Sequence, residues 1–292
     1  MESVVVIIPV LNEEETIGEV VRQLRAHPLT QICVVDNGSC DRTPTLARAA
    51  GATVISEPCK GYGQACWTGL QTAMAKQADW ILFCDGDGSD DLSELPGLLA
   101  LCSDYDFILG NRRGTVPGRS QLTPVQNFGN RLATLLIRWG WGYAYEDLGP
   151  LRLIRRHSLD ALQMEDRGFG WTVEMQAKAA QHGLKTYERP GNYLPRQGGT
   201  SKISGTITGS FQAGKIILST LASLYWQKLW DEEGWLGKSR AAIHPVMDDS
   251  RFQKGLLCAI AVLIILGSCL TIPYGDFLNQ PNAVPMFWRG IA

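Results

Sequence analysis

Five short apolar runs, each cut off by a polar turn, leave this chain few folds to choose from. Val4-Val5-Val6-Ile7-Ile8, Gln31-Ile32-Cys33-Val34-Val35, Thr53-Val54-Ile55, Trp80-Ile81-Leu82-Phe83-Cys84 and Asp106-Phe107-Ile108-Leu109-Gly110 read as strands, most of them buried. Helical stretches separate them. One runs from Asn12 to about Arg25, with Glu13, Glu14 and Glu15 at its positive end; a second follows Asp41 or Thr43, either of which can cap it; a third spans about Gln64 to Lys76. Strands alternating with helices predict an α/β fold, a mostly parallel sheet covered on both faces. Ligands of such sheets bind beyond the carboxyl ends of the strands. That rule gathers Pro9 to Glu13, Asp36 to Ser39 and Asp85 to Ser89 in one place.

The fourth run ends in Asp85-Gly86-Asp87-Gly88-Ser89. Two carboxylates so spaced can hold Mg²⁺ or Mn²⁺, whose remaining ligands are water and phosphate oxygens. The plain alternative is a polar turn that caps the next helix. A calcium EF-hand loop is excluded, because Asp90 and Pro96 stand where it needs Gly and Glu. A haloacid-dehalogenase-like phosphatase with Asp85 as nucleophile stays open, although three strands precede the motif. No Gly-x-Gly-x-x-Gly follows the first strand and no P-loop is present. A nucleotide site here must be built from acids and amides, with Asp36 accepting hydrogen bonds from a base or ribose.

The whole chain, 292 residues with 45% hydrophobic and 19% charged, suits one large domain or a domain with an appendage. A net charge of −2 offers no bulk attraction to nucleic acid. The eight cysteines lack zinc-site spacing and do not form a disulfide framework, which points to a reducing cytosol. No signal peptide is expected from the short run Val4 to Val10. Gly255 to Tyr274 carries no charge. As a helix it spans about 30 Å, the thickness of a bilayer's hydrocarbon. Arg251 and Lys254 just before it favour a single pass with the catalytic domain on the cytoplasmic side. Upstream, Ile207, Phe211, Leu218, Leu221, Tyr225 and Leu229 recur at helical spacing, with Lys215 and Lys228 among them. They describe either a helix on a membrane surface or one packed against the core. Trp226, Trp230 and Trp235 add interfacial side chains.

Taken in order, several motifs are together far more specific than any one alone. They are Val6-Ile7-Ile8-Pro9-Val10-Leu11-Asn12-Glu13-Glu14, Val34-Val35-Asp36-Asn37-Gly38-Ser39-Cys40-Asp41-Arg42-Thr43, Lys60-Gly61-Tyr62-Gly63 and Asp85-Gly86-Asp87. Asp147 with Arg152, Trp171-Thr172-Val173-Glu174-Met175 and Arg196-Gln197-Gly198-Gly199-Thr200-Ser201-Lys202 extend the series. The chain thereby resembles glycosyltransferase family 2, most closely its dolichol-phosphate mannosyltransferase-like, polyprenyl-phosphate branch. That resemblance implies a GT-A (Rossmann-like) nucleotide-sugar-binding domain over residues 1–205. An amphipathic juxtamembrane helix and linker (206–254), a transmembrane helix (255–274) and a short tail (275–292) complete the expected organisation.

The resemblance also implies roles. Pro9, Asn12, Glu13 and Asp36 would line the base and ribose of the donor. Lys60 and Gly63 would lie near the base and phosphates, and Asp85 and Asp87 would hold the metal. Arg196, Ser201 and Lys202 match an Arg-x-x-Gly-x-Ser-Lys element whose cations reach phosphate groups. Asp147 would be the general base for a hydroxyl acceptor, or only orient a phosphate acceptor that is already ionised. Asn130, Arg152, Glu174 and Ser201 would stand on the acceptor side. Two departures fall there: Gln126 occupies the branch's Ser position and Leu122 its Arg position, with Arg112, Arg113 and Arg119 as substitute cations. The spacing from Asp147 to Arg152 is also one residue short. The expected activity is metal-dependent transfer of a hexose from a UDP- or GDP-sugar to an acceptor, polyprenyl or dolichyl phosphate first. A non-lipid hydroxyl acceptor, the phosphatase and a catalytically silent membrane-tethered sugar-nucleotide-binding protein are the alternatives.

Overall fold

The computed structural model describes residues 2–29, 31–198 and 207–234. Ser201, Lys202, the uncharged stretch 255–274 and the tail therefore lie outside the described residues, as do the side chains of Ile207, Phe211, Leu229, Trp230 and Trp235. No helix among the described residues is long and apolar enough to cross a membrane.

All five expected strands form: β1 (Val4–Val10), β2 (Gln31–Asp36), β3 (Thr53–Ser56), β4 (Trp80–Phe83) and β5 (Phe107–Asn111). Two more, β6 (Arg152–Arg155) and β7 (Thr186–Pro190), complete a seven-stranded sheet of order β3-β2-β1-β4-β6-β5-β7. β1 pairs in parallel with both β2 and β4, in registers that set Ile7 beside Cys33 and beside Phe83. β6 runs antiparallel between β4 and β5, so the sheet is mixed. Neither added strand shows a plain apolar run. β6 reads Arg-Leu-Ile-Arg, and β7 is an edge strand whose residues are only half-buried or exposed.

Alternation along the strands builds two cores. Val5, Ile7, Cys33, Val35, Ile81, Phe83, Phe107 and Leu109 face one side. There they meet α3 (Tyr62–Leu70), α7 (Pro124–Trp141), α8 (Arg156–Ala161), α9 (Trp171–Gln181) and α10 (Ile207–Gly234). Val6, Ile8, Val34, Leu82 and Leu153 face the other, against α1 (Ile17–Ala26), α2 (Thr43–Ala49) and α5 (Leu95–Leu99). Of the two readings of the last helix, packing against the core is what the structure shows. Leu218, Leu221, Leu224 and Tyr225 are buried, the Tyr225 hydroxyl donates to the Leu136 carbonyl at 2.6 Å, and Lys228 Nζ donates to the Gly140 carbonyl at 2.7 Å. Trp226 remains exposed.

Two helix boundaries differ from the sequence expectation. The first helix begins at Ile17 rather than Asn12. The N–H groups of Asn12, Glu13 and Glu14 donate instead to Ser39 Oγ, Thr43 Oγ1 and Asp41 Oδ2, and Asn12 sits at φ 52°. Asn tolerates that left-handed conformation better than most residues. The third helix stops at Leu70 and resumes as α4 (Ala73–Lys76). α3 lies close on the sheet because Gly69 has no side chain. A Cβ there would come within 2.6 Å of Ile7 Cγ2 and 3.2 Å of Val35 Cγ2. Gly69→Val is therefore expected to lower the unfolding free energy by about 1–3 kcal/mol. Urea denaturation checks it, and an unchanged midpoint would show that α3 can rise off β1 at no cost.

Candidate active site

The carboxyl ends of β1, β2 and β4 deliver the predicted donor residues to one edge of the sheet. Pro9 lies half-buried in β1 opposite Val35, and Asp36 ends β2 buried, accepting from the Ser39 N–H at 3.1 Å. Asn12 is anchored rather than free: its Oδ1 accepts from the Cys40 N–H at 2.8 Å. Lys60 is exposed on the loop before α3, while Gly63 is buried and donates its N–H to the Gly168 carbonyl at 3.0 Å. Asn37 shapes that loop. Its side-chain amide donates to the Glu57 and Cys59 carbonyls at 3.0 and 2.7 Å and accepts from the Gly61 N–H at 2.8 Å. Asn37 lay inside the matched motif, but its loop-tying role had no sequence signal, because all its partners are distant backbone groups.

Asp85 and Asp87 follow β4 and are half-buried. Asp90, which sequence reasoning passed over, completes the turn by accepting from the Asp85 N–H at 3.0 Å. Burial pushes the Asp85 carboxyl well above the usual range, and the charges of Asp87 and Asp90 push it further. Asp90 rises to about 7, first by burial and then by Asp87, against the hydrogen bond from Asp85. Such crowding of carboxylates is relieved by a cation. One is already present: Arg196 NH1 donates to Asp87 Oδ2 at 3.1 Å and its NH2 donates to Glu13 Oε1. No group of three or more His, Cys, Asp or Glu side chains forms a metal cage among the described residues. An oxygen pair is instead the supply that Mg²⁺ or Mn²⁺ takes from a protein when substrate phosphates provide the rest. Asp85 and Asp87 fit that role.

The acceptor-side residues assemble around Asp147. Its carboxylate is buried and forms a two-pronged pair with Arg112, Nε to Oδ2 and NH2 to Oδ1, both at 2.9 Å. The Arg112 and Leu148 N–H groups and the Asn130 side-chain amide donate to it as well. Burial alone would raise this carboxyl, but the Arg112 charge and these hydrogen bonds hold it below the usual range. Asp147 is thus a weak base, already saturated. Arg152 is fully buried and bonds the carbonyls of Gly149 and Thr172 and Gln176 Oε1, and burial lowers it to about 10. Glu174 is not brought to this cluster. It accepts from the Glu165 and Asp166 N–H groups and pairs with Lys178 at 2.7 Å. Gln126 closes a capping box with Thr123 at the start of α7, and Leu122 is buried, so neither replaces a phosphate ligand. Arg112 also lies over the Tyr193 ring, 5.0 Å from its centre. Tyr193 had no sequence signal.

Residues 5–163 match glycosyl transferase family 2, and the chain belongs to that family. It is 36% identical over 73% of its length to an uncharacterized glycosyltransferase of Mycobacterium tuberculosis, covering 94% of that protein. An undecaprenyl-phosphate mannosyltransferase of Micrococcus luteus is 30% identical over 70% of the chain and 89% of its own length. Among solved structures, glucosyl-3-phosphoglycerate synthase from M. tuberculosis, crystallised with Mn²⁺, UDP-glucose and phosphoglyceric acid, superposes with a TM-score of 0.62. It shares 21% identity, and the match covers 76% of this chain and 79% of that one. The fold is GT-A, as the family resemblance implied, and the chain is a hexosyltransferase that uses a nucleotide sugar of the polyprenyl-phosphate glycosyltransferase-like branch. The divalent cation expected from Asp85 and Asp87 agrees with the Mn²⁺ of that neighbour. Family membership sets aside the phosphatase reading.

Removing one partner of a buried ion pair leaves the other charge uncompensated, at a cost of about 3–5 kcal/mol. Arg112→Met is expected to lose that much stability, and adding Asp147→Asn to return most of it. Urea unfolding of the single and double variants measures both. Additive losses would mean that the pair does not couple.

Proposed function

We propose that this protein transfers a hexose from a nucleotide sugar to the phosphate of a polyprenyl lipid at a membrane surface. The observation that carries the proposal is the state of Asp147. A hydroxyl acceptor has to lose a proton, and the acid placed to take it is bound by Arg112 and Asn130 and held below its usual range. A phosphate monoester has a second pKa of about 6 and is already an anion near neutrality. Its oxygen forms the bond to the anomeric carbon as the bond to the nucleoside diphosphate breaks, with no proton to remove.

Two further observations support a lipid setting. Val116, Val125, Phe128 and Leu135 are exposed on α6 (Val116–Gln121) and α7. Exposed Arg119, Arg131 and Arg138 on the same helices carry charge that suits anionic headgroups. The relatives also include proteins named for undecaprenyl-phosphate and dolichyl-phosphate transfer. The uncharged stretch 255–274 then serves as a single membrane span with the catalytic domain on the cytoplasmic side.

On the donor side Pro9, Asn12, Glu13 and Asp36 receive the base and ribose, with Lys60 and Gly63 at the loop beside the phosphates. Asp85 and Asp87 hold the cation, which when bound neutralises charge on the leaving nucleoside diphosphate. Arg196, and with it Ser201 and Lys202, presents donors to the same phosphates. Asn130 and Arg152 shape the acceptor side around Asp147, whereas Glu174 fixes the loop at Glu165 and Asp166 that packs on the turn at Gly61 and Gly63 of the donor side.

The test is transfer of label from UDP-glucose and GDP-mannose, with Mn²⁺ or Mg²⁺, into organic-extractable lipid. Wild type is expected to label lipid with one of the two donors, and Asp87→Ala to lose at least about a hundredfold of that activity. Label found only in water-soluble product would overturn the lipid acceptor. Full activity in Asp87→Ala would overturn the metal role of that residue.

A further inference from the structure

The loop that carries Asp147 is pinned from the sheet edge by a residue to which nothing yet assigns a part. Glu188 lies on β7, beside Leu109 in the β5 register. Its Oε1 accepts from the N–H groups of both Glu146 and Asp147, at 3.1 and 3.0 Å, and its Oε2 accepts from Glu146 at 2.9 Å. The strand thus grips two successive amides next to the Asp147 carboxylate. That carboxylate orients Arg112, while Glu146 accepts from the Asn111 side-chain amide at 2.7 Å. We propose that Glu188 is a positioning residue of the transfer reaction, fixing Asp147, and through it Arg112, for an acceptor that rests on the phosphate reading above.

The surroundings of Glu188 make the grip responsive to pH. The titratable groups facing it from the loop are Tyr143, Tyr145, Glu146 and Asp147. β5 offers Leu109, and the neighbouring Arg189 is turned to Glu94, 3.0 Å away. Burial, reinforced by the charges of Asp147 and Glu146, brings Glu188 to about 7 despite its two backbone donors. A carboxyl raised by the closed loop and relaxed by opening stabilises closure below that value. The stabilisation fades as pH rises through 7. A neutral glutamine, whose Oε1 can still take both N–H groups, mimics the protonated form and does not titrate.

The experiment compares wild type, Glu188→Gln and Glu188→Ala, using undecaprenyl phosphate as the acceptor probe and amide hydrogen exchange over residues 143–149. Glu188→Ala is expected to lower kcat/KM for the acceptor at least tenfold, leave nucleotide affinity within twofold and strip protection from 143–149. Glu188→Gln restores both at pH 6. From pH 6 to 8.5, protection corrected for intrinsic exchange falls in wild type and stays level in the glutamine variant. Unchanged protection in Glu188→Ala, failure of glutamine to restore it, or an equal loss of nucleotide affinity would overturn the proposal. If wild type labels no lipid, the phosphate-lipid reading falls on its own, and the exchange data still decide whether Glu188 holds the loop.

Discussion

Parallel pairing of β1 with β2 and β4 sends Glu13, Asp36, Asp85 and Asp87 to one edge of the sheet, where their charges repel one another. Their neighbourhood is partly dry, with Glu13, Asp36 and Asp90 buried, so the repulsion is felt at low dielectric. The protein answers it in two ways. Asp85 and Asp90 shift toward the protonated form, and Arg196 reaches in from the segment after β7 to bridge Glu13 and Asp87. The same deficit of positive charge gives a metal-bound nucleotide a reason to settle there. It brings a cation to the carboxylates and offers phosphate oxygens to the arginine.

The acceptor half solves the opposite problem. Here one carboxylate, Asp147, is matched so fully by Arg112 and by amide donors that it stays ionised despite burial. Glu188, which holds the backbone of Asp147, has hydrogen bonds but no cation partner among the described residues, and rises to about 7. Two acids, one on the loop and one on the strand that holds it, are thereby separated in character by whether a guanidinium reaches them. Tyr193 joins the halves: it sits under Arg112, and its backbone bridges to Asp90 on the turn that carries Asp85 and Asp87. Arg112 on the acceptor side thus rests on a residue that also braces the turn facing the donor.

How much of this was legible in the sequence follows from where each signal resides. β1, β2 and β4 are buried on both faces, so continuous runs such as Val4 to Ile8 announce them. β7, half-buried as Thr-Tyr-Glu-Arg-Pro, has no such run. The candidate donor residues cluster in short contiguous motifs because a strand end and its turn form one unit, and the gathering of Asp36, Asp85 and Asp87 at the strand ends was legible for that reason. Tyr193 and Glu188 act through partners far along the chain, and Asp90 acts by folding its carboxylate back onto the Asp85 amide within the same turn. Asn12 to Glu14 looked like a helix start and became a turn because Ser39, Asp41 and Thr43 captured its amides. Gln126 sits at a ligand position of the branch, yet it caps a helix.

The last helix is tied to the donor side of the sheet through one loop. α10 buries Leu218, Leu221 and Tyr225 against the core and donates from Thr220 Oγ1 to Asp166 Oδ2 at 2.8 Å. Asp166 lies in the loop whose Arg167 and Gly168 carbonyls accept from the Gln64 and Gly63 N–H groups at the start of α3. Gly61 and Gly63 are so close beneath that loop that a Cβ on either would come within 2.6 Å of its backbone. A displacement of α10 thus has a rigid route to the Lys60–Gly63 turn: one side-chain bond, one loop fixed by Glu174, and two backbone hydrogen bonds.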